Sequence, residues 1–391
     1  MVRAHQRAWL AETRARVSQG EPFAICNGDE FEDVLNVMDI PVIVINYWNS
    51  IIAVKGMAEH YYNILSKKGY TPHRFALGLA CTMDNNPETA PWGGLPKPAI
   101  ILGSTKNDLE MKVLETWARE YGCPVFPLEF AMDPVSEKPI YPPPSNWWEK
   151  MRAHWDDLID PQRLDLRVEQ EKALINLLEI TTGKSLSTAK LKSALELVNE
   201  QMAYWGKARD LIAETIPCPV SLRDQLAMYQ TMWHRGTEKA RDFLKLYYEE
   251  VKDRAEKGIT SNADEKFRLM WMDGTPPAWG KYIEEKYNAV CVCSLFSSIP
   301  IDCYYRTTLN DDPLRTIAGR HMVLFLETPE WRLKDARLHQ CDAVVEAVQP
   351  GVTSFNKQLF EESGMPLCEI PYDRDDEKVR SIISDFIESR L

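Results

Sequence analysis

No CxxC pair occurs anywhere in the 391 residues, although the chain has nine cysteines. These are Cys26, Cys81, Cys123, Cys218, Cys291, Cys293, Cys303, Cys341 and Cys368, scattered along the chain, so neither a zinc knuckle nor a thioredoxin-type redox site is indicated. Isolated cysteines in such a chain read as small buried hydrophobes. Also missing are a GxxxxGKS/T phosphate loop, a GxGxxG turn after any predicted strand, an HExxH helix and a GxSxG elbow. The seven histidines stand apart, none with a carboxylate or cysteine at a spacing that forces a site. The sequence therefore announces no hydrolase, kinase or nicotinamide enzyme. A basic excess is lacking too: the formal net charge of -12 argues against a general nucleic-acid binder, though it leaves a local basic patch open. No apolar run is long enough to span a bilayer. The opening "MVRAHQRAWLAETRARVSQGEPF" reads as an amphipathic helix, without the apolar core and cleavage site of a secretory signal. The expectation is a cytoplasmic protein with no nucleic-acid or membrane partner.

What is present is an ordinary globular composition, 45% hydrophobic and 27% charged, in a chain long enough for two or three domains. Pro41 to Ile45, Ala99 to Leu102 and Val125 to Leu128 are strand candidates, separated by polar or helical stretches that suit parallel crossovers. The rhythm returns at Phe267 to Met272, Ala289 to Phe296, Ala343 to Val348 and Leu367 to Ile370. Between these halves, Leu191, Leu195, Val198, Met202 and Trp205 mark one face of a helix that Ser187 can cap and that Pro217 and Pro219 follow. A second helical pattern runs from about Leu222 to Lys257. The triple proline of "YPPPSNWWEK" marks a boundary, since it continues neither a helix nor a central strand. The fold class is α/β: two Rossmann-like, flavodoxin-like parallel-sheet lobes, residues 1–145 and 261–391, with a helical insert at 146–260.

Open parallel sheets bind ligands outside the carboxyl ends of their strands. The places to look are then Asn46 to Ser50, Ser104 to Asp108, Asp273-Gly274, Ser294 to Ser298 and Gln349 to Val352. Trp48, Asn49 and Ser50 offer an aromatic ring and polar groups to a ligand; a packed Trp is the competing reading. Ser104 and Asn107 sit at the polar tip after "AIILG", where Asn107 either hydrogen-bonds a ligand or caps the next helix. Arg306, and also Arg320-His321, suit an anionic group, with Asp311, Asp312 and Glu327 as nearby alternatives for pairing.

Several stretches in order resemble the 2-hydroxyacyl-CoA dehydratase and benzoyl-CoA reductase family. They are "LPKPAIILGSTKNDLEMKVLETWAREYGCPVFPLEF", "EKFRLMWMDGTPPAWGKYIEEKYNAVCVCSLFSS", "DDPLRTIAGRHM" and "CDAVVEAVQPGVTSFNKQLFEESGMPLCEIPYD". The resemblance implies a heterodimer with a homologous partner subunit, an acyl-CoA substrate and a 4Fe-4S cluster in the inter-lobe cleft. It also implies a separate ATP-hydrolysing iron–sulfur activator that delivers one electron at very low potential. In the dehydratases that electron makes a ketyl radical of an (R)-2-hydroxyacyl-CoA, which expels hydroxide and acidifies a β-hydrogen otherwise beyond any side-chain base. In the reductases it enters an aromatic ring instead.

Family subunits that bind the cluster use three cysteines from three strand-end loops, and thiolates are what such clusters require. In this sequence Cys81, in "GLACTMDNN", stands at the first place and is the metal-ligand candidate. The second place reads Asn107-Asp108 and the third Gly351-Val352, so two thiolates are replaced. The expected assignment is a subunit with a degenerate cluster site in a CoA-thioester dehydratase or reductase. The rivals are a non-catalytic scaffold or ligand-binding member, and a cluster-free acyl-CoA enzyme using Asp84, Asp108 or Asp273 as acid or base.

Overall fold

A computed structural model describes residues 2–28, 31–84, 86, 88–105, 108–129, 146–152, 154–272, 277–306, 312–323, 328–349, 353–371 and 376–391. Among these residues eight strands form: β1 (Ala24–Cys26), β2 (Val42–Val44), β3 (Ile100–Ser104), β4 (Val125–Leu128), β5 (Phe267–Trp271), β6 (Ala289–Cys293), β7 (Ala343–Val348) and β8 (Leu367–Pro371). They make two four-stranded sheets, in the orders β2-β1-β3-β4 and β6-β5-β7-β8, and every pairing is parallel. The second sheet repeats the strand order of the first, which is the doubly wound pattern. Strands β1, β2, β3, β5 and β6 are buried along their whole length, because helices cover both faces of each sheet. Pro127 and Pro371 fall in β4 and β8, the edge strands, where a missing N–H costs no ladder bond.

Three sequence readings change. The first lobe has a fourth strand, β1, and it is central; three residues between Pro22 and Asn27-Gly28 are too short a run to show periodicity. The strand expected to reach Ile45 stops at Val44, and Ile45–Val54 is a helix instead of a loop. Ile45, Trp48, Ile51 and Ile52 are its buried stripe, a helical period hidden behind an apolar strand. Likewise β6 ends at Cys293, and Ser294 opens the helix Leu295–Cys303 through a reciprocal capping box with Ser297.

The helix Thr188–Glu214 begins where Ser187 accepts the Lys190 N–H at 3.4 Å, and Leu191, Leu195, Val198, Met202 and Trp205 are all buried along it. The pattern read as one helix from Leu222 to Lys257 is two, Leu222–Tyr229 and Glu238–Lys257, with a short 3-10 turn between. Gly236 breaks it: its φ of +73° favours glycine, and a Cβ there would stand 3.1 Å from the Ala194 Cβ. These helices and Pro161–Thr182 bind the lobes together. The Trp205 indole, for example, donates to the Ser297 carbonyl at 2.7 Å. The first helix, Val2–Ser18, joins the same body through Gln6, which donates to the Gln230 carbonyl at 3.1 Å. Among the described residues no helix is long and apolar enough to cross a membrane.

Gly319, in the helix Pro313–Val323, lies against the Trp155 ring so closely that an added Cβ would fall 1.9 Å from a ring carbon. Gly319→Ala is therefore expected to destabilise by about 1–3 kcal/mol through overpacking, read as a lowered urea midpoint with an unchanged slope.

Candidate functional site

The carboxyl end of β1 leads into a short helix, Glu32–Val37, whose first two residues are acidic and buried. Both acids point into the body of the protein and meet arginines from distant elements. The Asp33 carboxylate pairs with the Arg306 Nε at 3.1 Å, and each side chain is 1% exposed. Glu32 pairs with Arg235 at 3.0 Å, with neither side chain exposed. Arg306 follows the helix Leu295–Cys303 of the second lobe, so its pair with Asp33 is a direct bond between lobes. Its backbone N–H donates to Asn199 Oδ1 at 2.6 Å, and its Nη1 donates to the Tyr304 carbonyl at 3.0 Å. The Arg235 guanidinium covers the Tyr304 ring at 4.3 Å from the centroid.

A third acid closes this seam. Glu171 lies on the inner face of Pro161–Thr182, 3.5 Å from Arg167 Nε and 3.7 Å from His321 Nδ1. Complete burial pushes the Glu171 carboxyl up to about 8, against the opposing pull of Arg167. Burial first, and then Arg167, Arg306 and Arg235, holds His321 well below the usual imidazole range. At neutral pH the pair is thus largely a protonated acid beside a neutral imidazole, two groups that can hold or pass a proton without a full charge change. Sequence reading missed the acids of this set and Arg167 and Arg235. A signal was available: Arg163, Arg167 and Glu171 occupy the apolar face marked by Leu164, Val168, Leu174 and Leu178.

The expected site residues divide. Trp48 is fully buried on Ile45–Val54, edge-on to Trp92 with ring centroids 5.8 Å apart. Asn49 accepts from the Gly78 N–H at 2.9 Å and donates to the Phe75 carbonyl at 3.4 Å, tying its helix to the start of Leu77–Met83. Ser50 is exposed and donates back to the Asn46 carbonyl at 3.0 Å. These three are held by the fold's own contacts, not presented by a strand-end loop. Cys81 lies inside Leu77–Met83 with Tyr61 and Trp48 against its sulfur, and burial raises its thiol above the ordinary range. Ser104 is buried at the end of β3, while Asn107 lies outside the described residues, as do Asp273, Gly274, Gly351 and Val352. Asp84 meets His60 at 3.2 Å, and Asp108 opens the helix Asp108–Tyr121. Of the sequence candidates, the structure brings Arg306 and His321 into the charged seam; Trp48, Asn49 and Cys81 share a separate pair of packed helices.

Residues 37–389 match the model of the 2-hydroxyglutaryl-CoA dehydratase D-component family. The chain belongs to that family. It is accordingly a subunit of the 2-hydroxyacyl-CoA dehydratase type, and a D-component implies further subunits in a complex. No curated protein matches the chain.

Among the described residues, the thiols of this D-component-family chain do not fit a cluster held by it alone. Cluster iron requires converging thiolates. Cys81 is a raised-pKa thiol enclosed by aromatic rings, and the other two places at which the resemblance implies thiolates are Asn107 and Val352 in the sequence. Four of the remaining cysteines have other neighbours. Cys26 donates to the Gly28 carbonyl at 3.3 Å, Cys218 to that of Val220 at 3.2 Å, and Cys293 faces Cys341 at 3.7 Å. Cys123 precedes β4 and Cys368 is the second residue of β8, so each stands away from the carboxyl end of its strand. Among the described residues no three His, Cys, Asp or Glu side chains converge as a metal group.

Proposed function

We propose that this chain is the subunit of a 2-hydroxyacyl-CoA dehydratase-type enzyme that carries a degenerate cluster site and works in the cytoplasm against a homologous partner. The partner holds the 4Fe-4S cluster, and an ATP-dependent iron–sulfur activator reduces it. This chain supplies half of the acyl-CoA cleft. The observation that carries this reading is the donor set at the three matched places: one thiol, Cys81, packed within a helix, and two residues, Asn107 and Val352, that offer no thiolate. The test is anaerobic purification of the chain alone and with its homologous partner, followed by iron and acid-labile sulfide analysis of each subunit. Iron is expected in the complex and on the partner. A full complement of iron and sulfide on this chain alone would refute the reading.

A second reading is favoured by Glu171 and His321, whose buried carboxyl at about 8 and neutral imidazole suit ordinary proton transfer on an acyl-CoA. Turnover of an acyl-CoA without any low-potential reductant, lost in Glu171→Gln, would decide for it.

A further inference from the structure

The charged seam holds more cations than its ionised carboxylates satisfy. Three of its arginines lie beside acids, Arg235 by Glu32, Arg306 by Asp33 and Arg167 by Glu171, and of these acids Glu171 is largely protonated at neutral pH. Arg320 has no acidic partner among the described residues. It is 1% exposed, on the helix Pro313–Val323, and its Nε, Nη1 and Nη2 all lack a hydrogen-bond partner among the described residues. The described groups that act on its charge are Arg306, Cys303 and Arg152, and no carboxylate is among them. Burial, Arg306 and Arg152 lower the guanidinium only to about 9, so it remains a cation at neutral pH. An uncompensated buried charge costs several kcal/mol, and a guanidinium with every donor idle adds the loss of its hydrogen bonds. Arg152 lies outside it, exposed, with its guanidinium over the Tyr305 ring at 4.2 Å from the centroid. The arginines therefore run from the surface inward to Arg320.

We propose that Arg320 is the floor of a binding site for a compact oxyanion, a carboxylate or a phosphate group, which takes the planar donor fork and balances the excess charge of the seam. The guanidinium geometry matches both groups bidentately, and one such group supplies the negative charge that the three acids do not. The site does not depend on the acyl-CoA reading. The oxyanion is either a free small anion or one end of a larger ligand, such as the phosphates of coenzyme A.

The test is thermal unfolding of the purified full chain with sodium acetate, inorganic phosphate or coenzyme A, each against sodium chloride at matched ionic strength, for wild type, Arg320→Met and Arg320→Lys. A raised Tm with acetate or phosphate, absent in Arg320→Met, identifies a free anion site. A rise with coenzyme A alone, again absent in Arg320→Met, identifies an end of a larger ligand. Arg320→Lys keeps the charge without the fork, and its affinity is expected to fall about tenfold or more, so it serves if the methionine variant fails to fold. No rise with any of the three probes, or a rise unchanged in both variants, overturns the proposal.

Discussion

Asp33→Ala is expected to destabilise the protein by about 3–5 kcal/mol, the loss typical of removing one member of a buried ion pair. The reason is what remains: Arg306, 2% exposed, would keep its charge with the Tyr304 carbonyl and the Asn199 contact at its backbone as its partners among the described residues. Asp33 also accepts from the Val34 N–H at 3.1 Å, so the start of Glu32–Val37 loosens as well. Because the pair joins the first lobe to the second, the loss should fall on the global transition and lower the urea midpoint measured by both circular dichroism and tryptophan fluorescence. The double variant Asp33→Ala with Arg306→Met is expected to regain most of that stability, since it removes the stranded charge along with the pair. A loss below about 1 kcal/mol in the single variant is the figure for a solvated pair, and would show that the seam is open to water.

The same pair shows what a sequence can and cannot display. Asp33 and Arg306 are separated by 273 residues, and nothing local to either one names the other. Arg306 reads from the sequence as a cation for an anionic group or for a carboxylate close by in the chain; in the fold it is spent on a lobe-to-lobe bond, and among the described residues it is Arg320 whose donors lack partners. Periodicity served well where an element was long enough to express it, as in Thr188–Glu214 with its cap at Ser187. It failed at β1, three residues long, and at Ile45–Val54, where a buried helix continues a buried strand without a polar break. The loop positions chosen from the carboxyl-end rule suffered from that second error: Trp48, Asn49 and Ser50 were placed on a loop and are on a helix. The doubly wound class survived because it rests on the alternation of apolar strands with amphipathic helices, which short boundary errors do not disturb. Charged residues on an apolar face, Arg167 and Glu171, were the legible trace of the seam.

Glu171→Gln is expected to remove a contribution to stability that, in the wild-type protein, falls between pH 6.5 and 8. The Glu171 carboxyl is raised to about 8 in the folded chain and returns to its ordinary value near 4.5 on unfolding. Over the interval between those values the folded state binds the extra proton, so stability falls as pH rises and levels off above about 8. Other buried groups fix where this can be seen. Asp335, held up to about 6 by burial, contributes a fall of the same sign that ends near that pH. His234, His321 and His339 are lowered by burial, so the unfolded state binds more protons and stability rises with pH through the ordinary imidazole value, their contribution being complete about a unit above it. That rise is common to wild type and Glu171→Gln, so the difference between their curves isolates the Glu171 slope, worth roughly 2 kcal/mol between about 6.5 and 8. Urea midpoints of wild type and Glu171→Gln at pH 6.5, 7.2 and 8.0 measure it. The amide keeps the size and stays neutral, so its midpoint is expected to gain on that of wild type as pH rises from 6.5 to 8. Parallel curves for wild type and variant would mean that Glu171 is ionised and paired with Arg167 throughout, and the seam would then lose its candidate proton donor.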